Sequence, residues 1–246
     1  PPAMRRGDPL RGWFSNAGIL VARPGDNDPA RLAVTLKGGR GGGSHSHADL
    51  GQFVVAVQGR TPLLDPGSEN YNSKTFTSAR FTIPRIGGFG HAVPLVGGRW
   101  QPGGKGASSR IVRTDFSPGT DIYALDLRDA CDVPGLRKLE RAFTYTRTGR
   151  GQLVVEDTVE FSSPQTFGTA LITMGSMKQE SPDTLLFTDG PARVRVKIES
   201  VSGILYAVTT QPVETNRPPV PTRVGIDFAQ PVTRASLRCT ITPVAD

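Results

Sequence analysis

The sequence predicts an all-β protein, a large antiparallel two-sheet β-sandwich, on three observations. Glycine and proline are frequent, 29 and 21 of 246 residues, which is poor material for helices and good material for strands joined by tight turns. More than ten segments of strand length carry apolar residues in alternation or in short runs, separated by turn-forming clusters. No amphipathic pattern three helical turns long interrupts them. A chain of this length can bury one large core without a disulfide staple.

Taken in order, Pro1 to Pro9 has no apolar period and reads as a linker tail from an upstream region. This reading places a tail over residues 1–12 and one domain over 13–246. Trp13-Phe14 and Gly18 to Arg23 form short apolar runs, and a Pro-Gly-Asp-Asn turn leads to Arg31 to Leu36, so two antiparallel strands fit. Lys37 to Gly43 is a glycine-rich loop with Arg40 inside it. It is either a flexible connector or a loop whose glycines permit close backbone approach to a ligand. Gln52 to Val57 and Thr61 to Asp65 flank Gln58-Gly59-Arg60 and read as a hairpin.

Further strands are expected at Arg110 to Asp115, Asp121 to Leu127, Lys138 to Thr146, Gln152 to Phe161 and Thr166 to Thr173. The series continues through Thr184 to Phe187, Arg193 to Ser200, Leu205 to Thr210, Thr222 to Phe228 and Arg234 to Thr242. One short helical turn fits within Asp129 to Leu139. No polar linker divides the series, and its length and spacing suit two packed sheets.

The net charge of +7 favours an anionic partner, although the arginines are scattered along the chain. Nucleic acid does not fit: aromatic residues are only 7% of the chain, and none is interleaved with a basic block. No run of 18 apolar residues suits a membrane span. Cys131 and Cys239 have neither the number nor the spacing of a cysteine zinc cluster, and they either pair or are both buried thiols.

The chain has three histidines, His45, His47 and His91, all in its first half. In an extended segment, residues two apart face the same side, so His45 and His47 would present their imidazoles together, with Asp49 following. Asp65 stands before Pro66-Gly67, where the chain must turn, and His91 ends another glycine-rich turn. A flat hairpin about Gly59 places Asp65 opposite Phe53, so His45 to Gly51 must bend back if these groups share a metal. Imidazoles with a carboxylate can form a tetrahedral zinc site with one position left for water. The same histidines can also be hydrogen-bonded loop residues.

The segments His45-Ser46-His47-Ala48-Asp49-Leu50-Gly51-Gln52-Phe53, Leu63-Leu64-Asp65-Pro66-Gly67, Tyr71, Thr75-Phe76, Arg80-Phe81, His91 to Gly98 and Gln101 resemble, in order and spacing, the core signature of heparinase II/III-like proteins. The likeness spans most of residues 13–165. It implies the C-terminal β-sandwich of a two-domain lyase, with an upstream helical toroid and an acidic polysaccharide in the cleft between them. It also implies zinc held by His47, Asp65 and His91, with His45 facing the glycan. The whole protein would then be periplasmic or secreted. Where many of these lyases carry tyrosine after the arginine, this chain has Arg80-Phe81, so Tyr71 becomes the nearby candidate for the proton donor. Arg80, Glu69 and Asn70 complete the expected set as substrate-binding residues.

The implied chemistry is β-elimination on a uronic-acid glycan: a base removes the proton beside the sugar carboxylate while an acid protonates the departing oxygen. His45 is the expected base or charge-stabilising donor. Zinc would hold the loop that presents it. Two other readings stay open. One is a noncatalytic anionic-glycan-binding module with a structural zinc site. The other is a metal hydrolase, for which Glu69 is the candidate base.

Overall fold

A computed structural model of the protein describes residues 10–26, 28–43 and 45–244. Of the tail expected over residues 1–12, residues 1–9 lie outside the described residues. The strands, in chain order, begin with β1 (Arg11–Phe14), β2 (Ile19–Ala22), β3 (Ala33–Lys37), β4 (Phe53–Val57), β5 (Arg60–Leu63) and β6 (Leu95–Val96). They continue with β7 (Arg110–Phe116), β8 (Thr120–Asp126), β9 (Leu136–Thr146), β10 (Gln152–Gln165), β11 (Phe167–Thr173) and β12 (Ser176–Ser181). The last five are β13 (Thr184–Asp189), β14 (Ala192–Ser200), β15 (Tyr206–Pro212), β16 (Thr222–Phe228) and β17 (Val232–Pro243). Only short 3₁₀ turns, including Arg128–Ala130 near the expected helical turn, interrupt them among the described residues.

One layer is an eight-stranded sheet ordered β12-β13-β14-β17-β10-β9-β8-β7, with antiparallel neighbours throughout. Its register follows from alternation. Val155 pairs with Phe143 on one side and Cys239 on the other, and Leu153 pairs with Tyr145 and Ile241, so their buried side chains line one face. The opposing layer supplies Leu20, Ala22, Val34, Leu36, Phe53 and Val55 to the same core. The Phe53 and Phe143 rings meet edge to face at 6.1 Å, and Trp13 meets Tyr123 at 5.3 Å.

The second layer differs from the single sheet expected: it is divided into a five-stranded sheet, β1-β2-β3-β4-β5, and a four-stranded sheet, β15-β16-β11-β6. Proline accounts for the break. Pro62 within β5 and Pro66 just beyond it have no N–H to extend a ladder. The Leu64 N–H to Ile172 carbonyl bond, 3.0 Å, crosses from the end of β5 to β11.

The first strand starts at Arg11, so the expected boundary at residue 13 falls inside it. Arg11 Nε donates to the buried carboxylate of Asp121 at 3.0 Å, and Arg147 donates to the Leu10 carbonyl at the same distance. Both cysteines are free thiols, Cys239 buried in the core and Cys131 half-buried.

Candidate functional site

Three chain reversals bring His47, Asp65 and His91 together. Asp65 follows β5, and its Oδ1 accepts the Gly67 N–H at 2.8 Å, closing a turn that places Gly67 at φ 73°. His91 ends the 3₁₀ turn Gly88–Gly90, where a Cβ on Gly90 would lie 2.4 Å from the Pro84 carbonyl oxygen. The bend required between His45 and Gly51 is present. Gly51, at φ 90°, donates to the Lys37 carbonyl at 2.8 Å, and Gln52 N–H reaches the Asp49 carbonyl at 3.1 Å.

Behind the cluster, three buried side chains join the segments. Gln52 accepts the Ala92 N–H at 2.6 Å and donates to the Leu64 carbonyl at 3.1 Å, linking the neighbours of His91 and Asp65. Gln101 accepts from Leu50 N–H at 3.1 Å and donates to the Leu50 carbonyl at 2.7 Å. Arg141 on β9 donates through Nη1 to the carbonyls of Gly51, at 2.8 Å, and Ala92. Its Nε and Nη2 grip Asp157 on β10 at 2.7 and 2.6 Å, and Nη2 also reaches Thr169 Oγ1 at 2.6 Å.

Gln52 and Gln101 stand in the motif segments, whereas Arg141 stands outside them. A signal existed: in the alternating strands, Arg141 and Asp157 occupy core-facing positions, and a charge there requires a partner. Arg223 likewise stands outside the motif segments. It is 2% exposed, and its guanidinium carbon lies 4.6 Å from the Trp100 ring centroid and 5.6 Å from that of Phe89. It thereby backs the turn that ends at His91.

One ligand atom from each of His47, Asp65 and His91 lies within 4.8 Å of the other two. His91 is fully buried, and neither of its ring nitrogens makes a hydrogen bond. Its Nδ1 stands 3.3 Å from Asp65 Oδ2, close enough for an ion pair but poorly aligned for a hydrogen bond. Burial, and then the neighbouring His91, push the His47 pKa down to about 4. Burial raises the Asp65 pKa, but contact with His91, the Gly67 N–H and His47 outweigh it and hold the carboxyl well below the usual range. At neutral pH the cluster therefore offers a neutral imidazole at His47 and an ionised carboxylate, the forms that bind a divalent metal. A metal ion would take up one of the two orphaned nitrogens on the buried His91 imidazole.

The extended geometry expected at His45-Ser46-His47 is not present. His45 adopts φ 67°, so the two rings diverge. The His47 ring lies 5.2 Å from that of His91, whereas the exposed His45 ring is nearly parallel to that of Tyr71 at 6.5 Å. Asp49, expected beside them, is buried and paired with Lys37. His45 lines a cleft of about 270 Å³ with Thr75, Phe76, Thr77 and Arg80. Phe81 carries no phenol, and its ring lies 5.5 Å beneath the Arg80 guanidinium.

Glu69 and Asn70 are not brought to this cleft. Glu69 is 5% exposed and accepts hydrogen bonds from Asn70 N–H, at 2.7 Å, and from Thr215 Oγ1. It lines a separate hollow with Lys74, Pro84 and Asn216, and Asn70 Nδ2 donates to the Asn216 carbonyl at 3.0 Å. Both residues pin one loop to another.

No family model and no curated protein matches the sequence. Among solved structures, the chain superimposes on heparinase III with a TM-score of 0.75 at 16% identity, covering 98% of this chain and 37% of that one. Heparan sulfate lyase HepC from Pedobacter heparinus gives a TM-score of 0.77 at 13% identity, covering 96% of this chain and 37% of that one. The chain thus has the fold of a heparinase-like C-terminal β-sandwich domain and spans just over a third of the length of those proteins.

Proposed function

We propose that this chain is the zinc-binding β-sandwich of a polysaccharide lyase that cleaves uronic-acid glycans by β-elimination, completed by an upstream helical domain of the same polypeptide. The observation that carries the reading is the divergence of the two neighbouring histidines, His47 toward Asp65 and His91, and His45 toward an open cleft containing Arg80. The fold shared with heparinase III and HepC supports the lyase class, and their greater length accommodates a second domain. We place the whole protein in the periplasm or outside the cell.

In this reading His47, Asp65 and His91 hold zinc, whose two-imidazole, one-carboxylate donor set suits that ion. When bound, the ion supplies positive charge and rigidity where three loops meet. Arg80 neutralises the sugar carboxylate, which makes the adjacent carbon-bound proton more acidic. His45 takes that proton, and the released electron pair forms a carbon–carbon double bond. The glycosidic carbon–oxygen bond breaks with its pair on oxygen, and Tyr71, 66% exposed beside His45, protonates the leaving oxygen. Glu69, paired inside its loop, takes no part in this scheme.

A binding-only module is the second reading, favoured by the missing phenol at Phe81. One experiment separates the two: incubate the full-length protein with a panel of acidic glycans and follow ultraviolet absorbance of the unsaturated uronate product. The lyase reading expects product, lost in His45→Ala with zinc retained. Glycan binding without product from any member of the panel supports the binding module and rejects the lyase.

A further inference from the structure

The cleft beside His45 carries one exposed ring, Phe76, that the metal cluster and the elimination chemistry leave without a role. Phe76 is 74% exposed, and its ring meets that of Tyr71 edge to face at 5.1 Å. Tyr71 and Phe76 thus form an exposed apolar shelf beside the His45 ring, which lies nearly parallel to Tyr71 at 6.5 Å. Water-exposed aromatic rings held side by side mark an interaction surface. The turn that presents Phe76 is well anchored. Buried Thr75 accepts the Asn72 N–H through Oγ1 at 2.8 Å, and Asn72 Oδ1 accepts the Lys74 N–H at 2.9 Å. On the other side, Thr77 Oγ1 donates to the Lys74 carbonyl at 3.0 Å and accepts the Ala79 N–H at 3.2 Å. Phe76 is therefore exposed on a fixed support.

Arg80 completes the arrangement. Its guanidinium is stacked on Phe81 at 5.5 Å, Nε is buried without a hydrogen bond, and no carboxylate of the described residues lies within ion-pair distance. Several arginines of the eight-stranded sheet have acidic partners, as in Arg195–Glu180 and Arg238–Glu199. A cation left unpaired beside an apolar shelf is complementary to a ligand with an apolar face and an acidic edge.

We propose that Phe76 and Arg80 form a saccharide subsite adjoining His45. The Phe76 ring carries the C–H face of a pyranose, and the Arg80 guanidinium holds that sugar's carboxylate or sulfate. The assignment rests on the reading of the cleft as a glycan site and adds to it the platform on which the acidic sugar lies. Phe76 acts by binding alone, because its ring has no proton to give or take.

The test uses the full-length protein in a His45→Ala background, which prevents turnover, and measures binding of uronate hexasaccharides, unsulfated and sulfated, by calorimetry. Phe76→Ala is expected to weaken binding about tenfold, and Phe76→Tyr to restore it. Arg80→Gln is expected to weaken it by a similar factor and to flatten its salt dependence. The hexasaccharide form that loses more affinity in Arg80→Gln identifies whether carboxylate or sulfate is held. A neutral glucose hexasaccharide should bind poorly to every form, and zinc content should not change. If Phe76→Ala binds as the parent does while the protein with His45 intact still produces unsaturated uronate, the subsite is overturned and the lyase reading stands. A lowered melting temperature with unchanged affinity would assign the shelf to contact with the upstream domain and also overturn it. If the parent binds no acidic glycan and forms no product, both fall together.

Discussion

His45 and His47 are separated by a single residue, Ser46, yet serve different surroundings, because the left-handed backbone at His45, φ 67°, turns the first ring to Tyr71 and leaves the second against His91. The two positions should therefore separate in a metal assay. His47→Ala should abolish stoichiometric zinc, and His45→Ala should retain it. Elemental analysis after dialysis reads the difference, and thermal melting confirms it. A ligand at one hundred times its Kd adds about 2.7 kcal/mol to the fold, so zinc should raise the Tm of the protein and of His45→Ala but not of His47→Ala. Zinc lost from His45→Ala would reverse the assignment of the two rings.

Gln52 holds the chain next to two proposed ligands through Ala92 and Leu64. Gln52→Leu leaves a buried N–H and a buried carbonyl without partners, a cost of about 1–3 kcal/mol. Zinc affinity should also fall about 10- to 100-fold, as it does when groups that orient ligands are removed. Competition against a chelating dye measures the second effect. Unchanged affinity would mean that the three loops hold their places without this bridge.

Arg141 and Asp157 form a bidentate pair inside the core, both side chains 2% exposed or less. Arg141→Met strands a carboxylate in apolar surroundings and should cost about 3–5 kcal/mol in urea unfolding. The double change Arg141→Met with Asp157→Leu should recover much of that stability but not the metal affinity, since Gly51 and Ala92 still lose their donor.

Burial pushes both thiols, Cys131 and Cys239, up to about 12. In the unfolded chain the same groups ionise near 9.0. Between those values the folded protein binds more protons than the unfolded chain, so this contribution is complete below about pH 9 and is lost as pH rises toward 12. Urea midpoints across that interval should decline, and less steeply in Cys239→Ala. At pH 8 a thiol reagent should react slowly with native protein and fast once urea unfolds it.

Much of the fold was legible because alternation survives wherever one sheet face is buried. Leu153 to Phe161 and Arg234 to Thr242 read as strands and are strands. β12 carries no strand signal, because Lys178, Gln179 and Glu180 lie on an exposed edge and follow no apolar period. The division of the second layer depends on where β5 stops, which local pattern does not record. At the site, the residue types and the required bend at Gly51 could be read from spacing. The turn at His45 could not, since a histidine gives no sign of positive φ as glycine does. Glu69 looked available because sequence position alone does not reveal Thr215, which meets it from far along the chain.

The contacts of Arg141 also set an order of events. Its bonds to Gly51 and Ala92 span 90 and 49 residues, and its pair with Asp157 spans 16 more. On a chain emerging from the ribosome, His47, Asp65 and His91 are all exposed well before β9 and β10 exist to draw their loops together. Nascent polypeptide should therefore capture metal late, after Asp157 has been synthesised. In the proposed zinc-bound protein the ion would then mark a sandwich already closed instead of nucleating one.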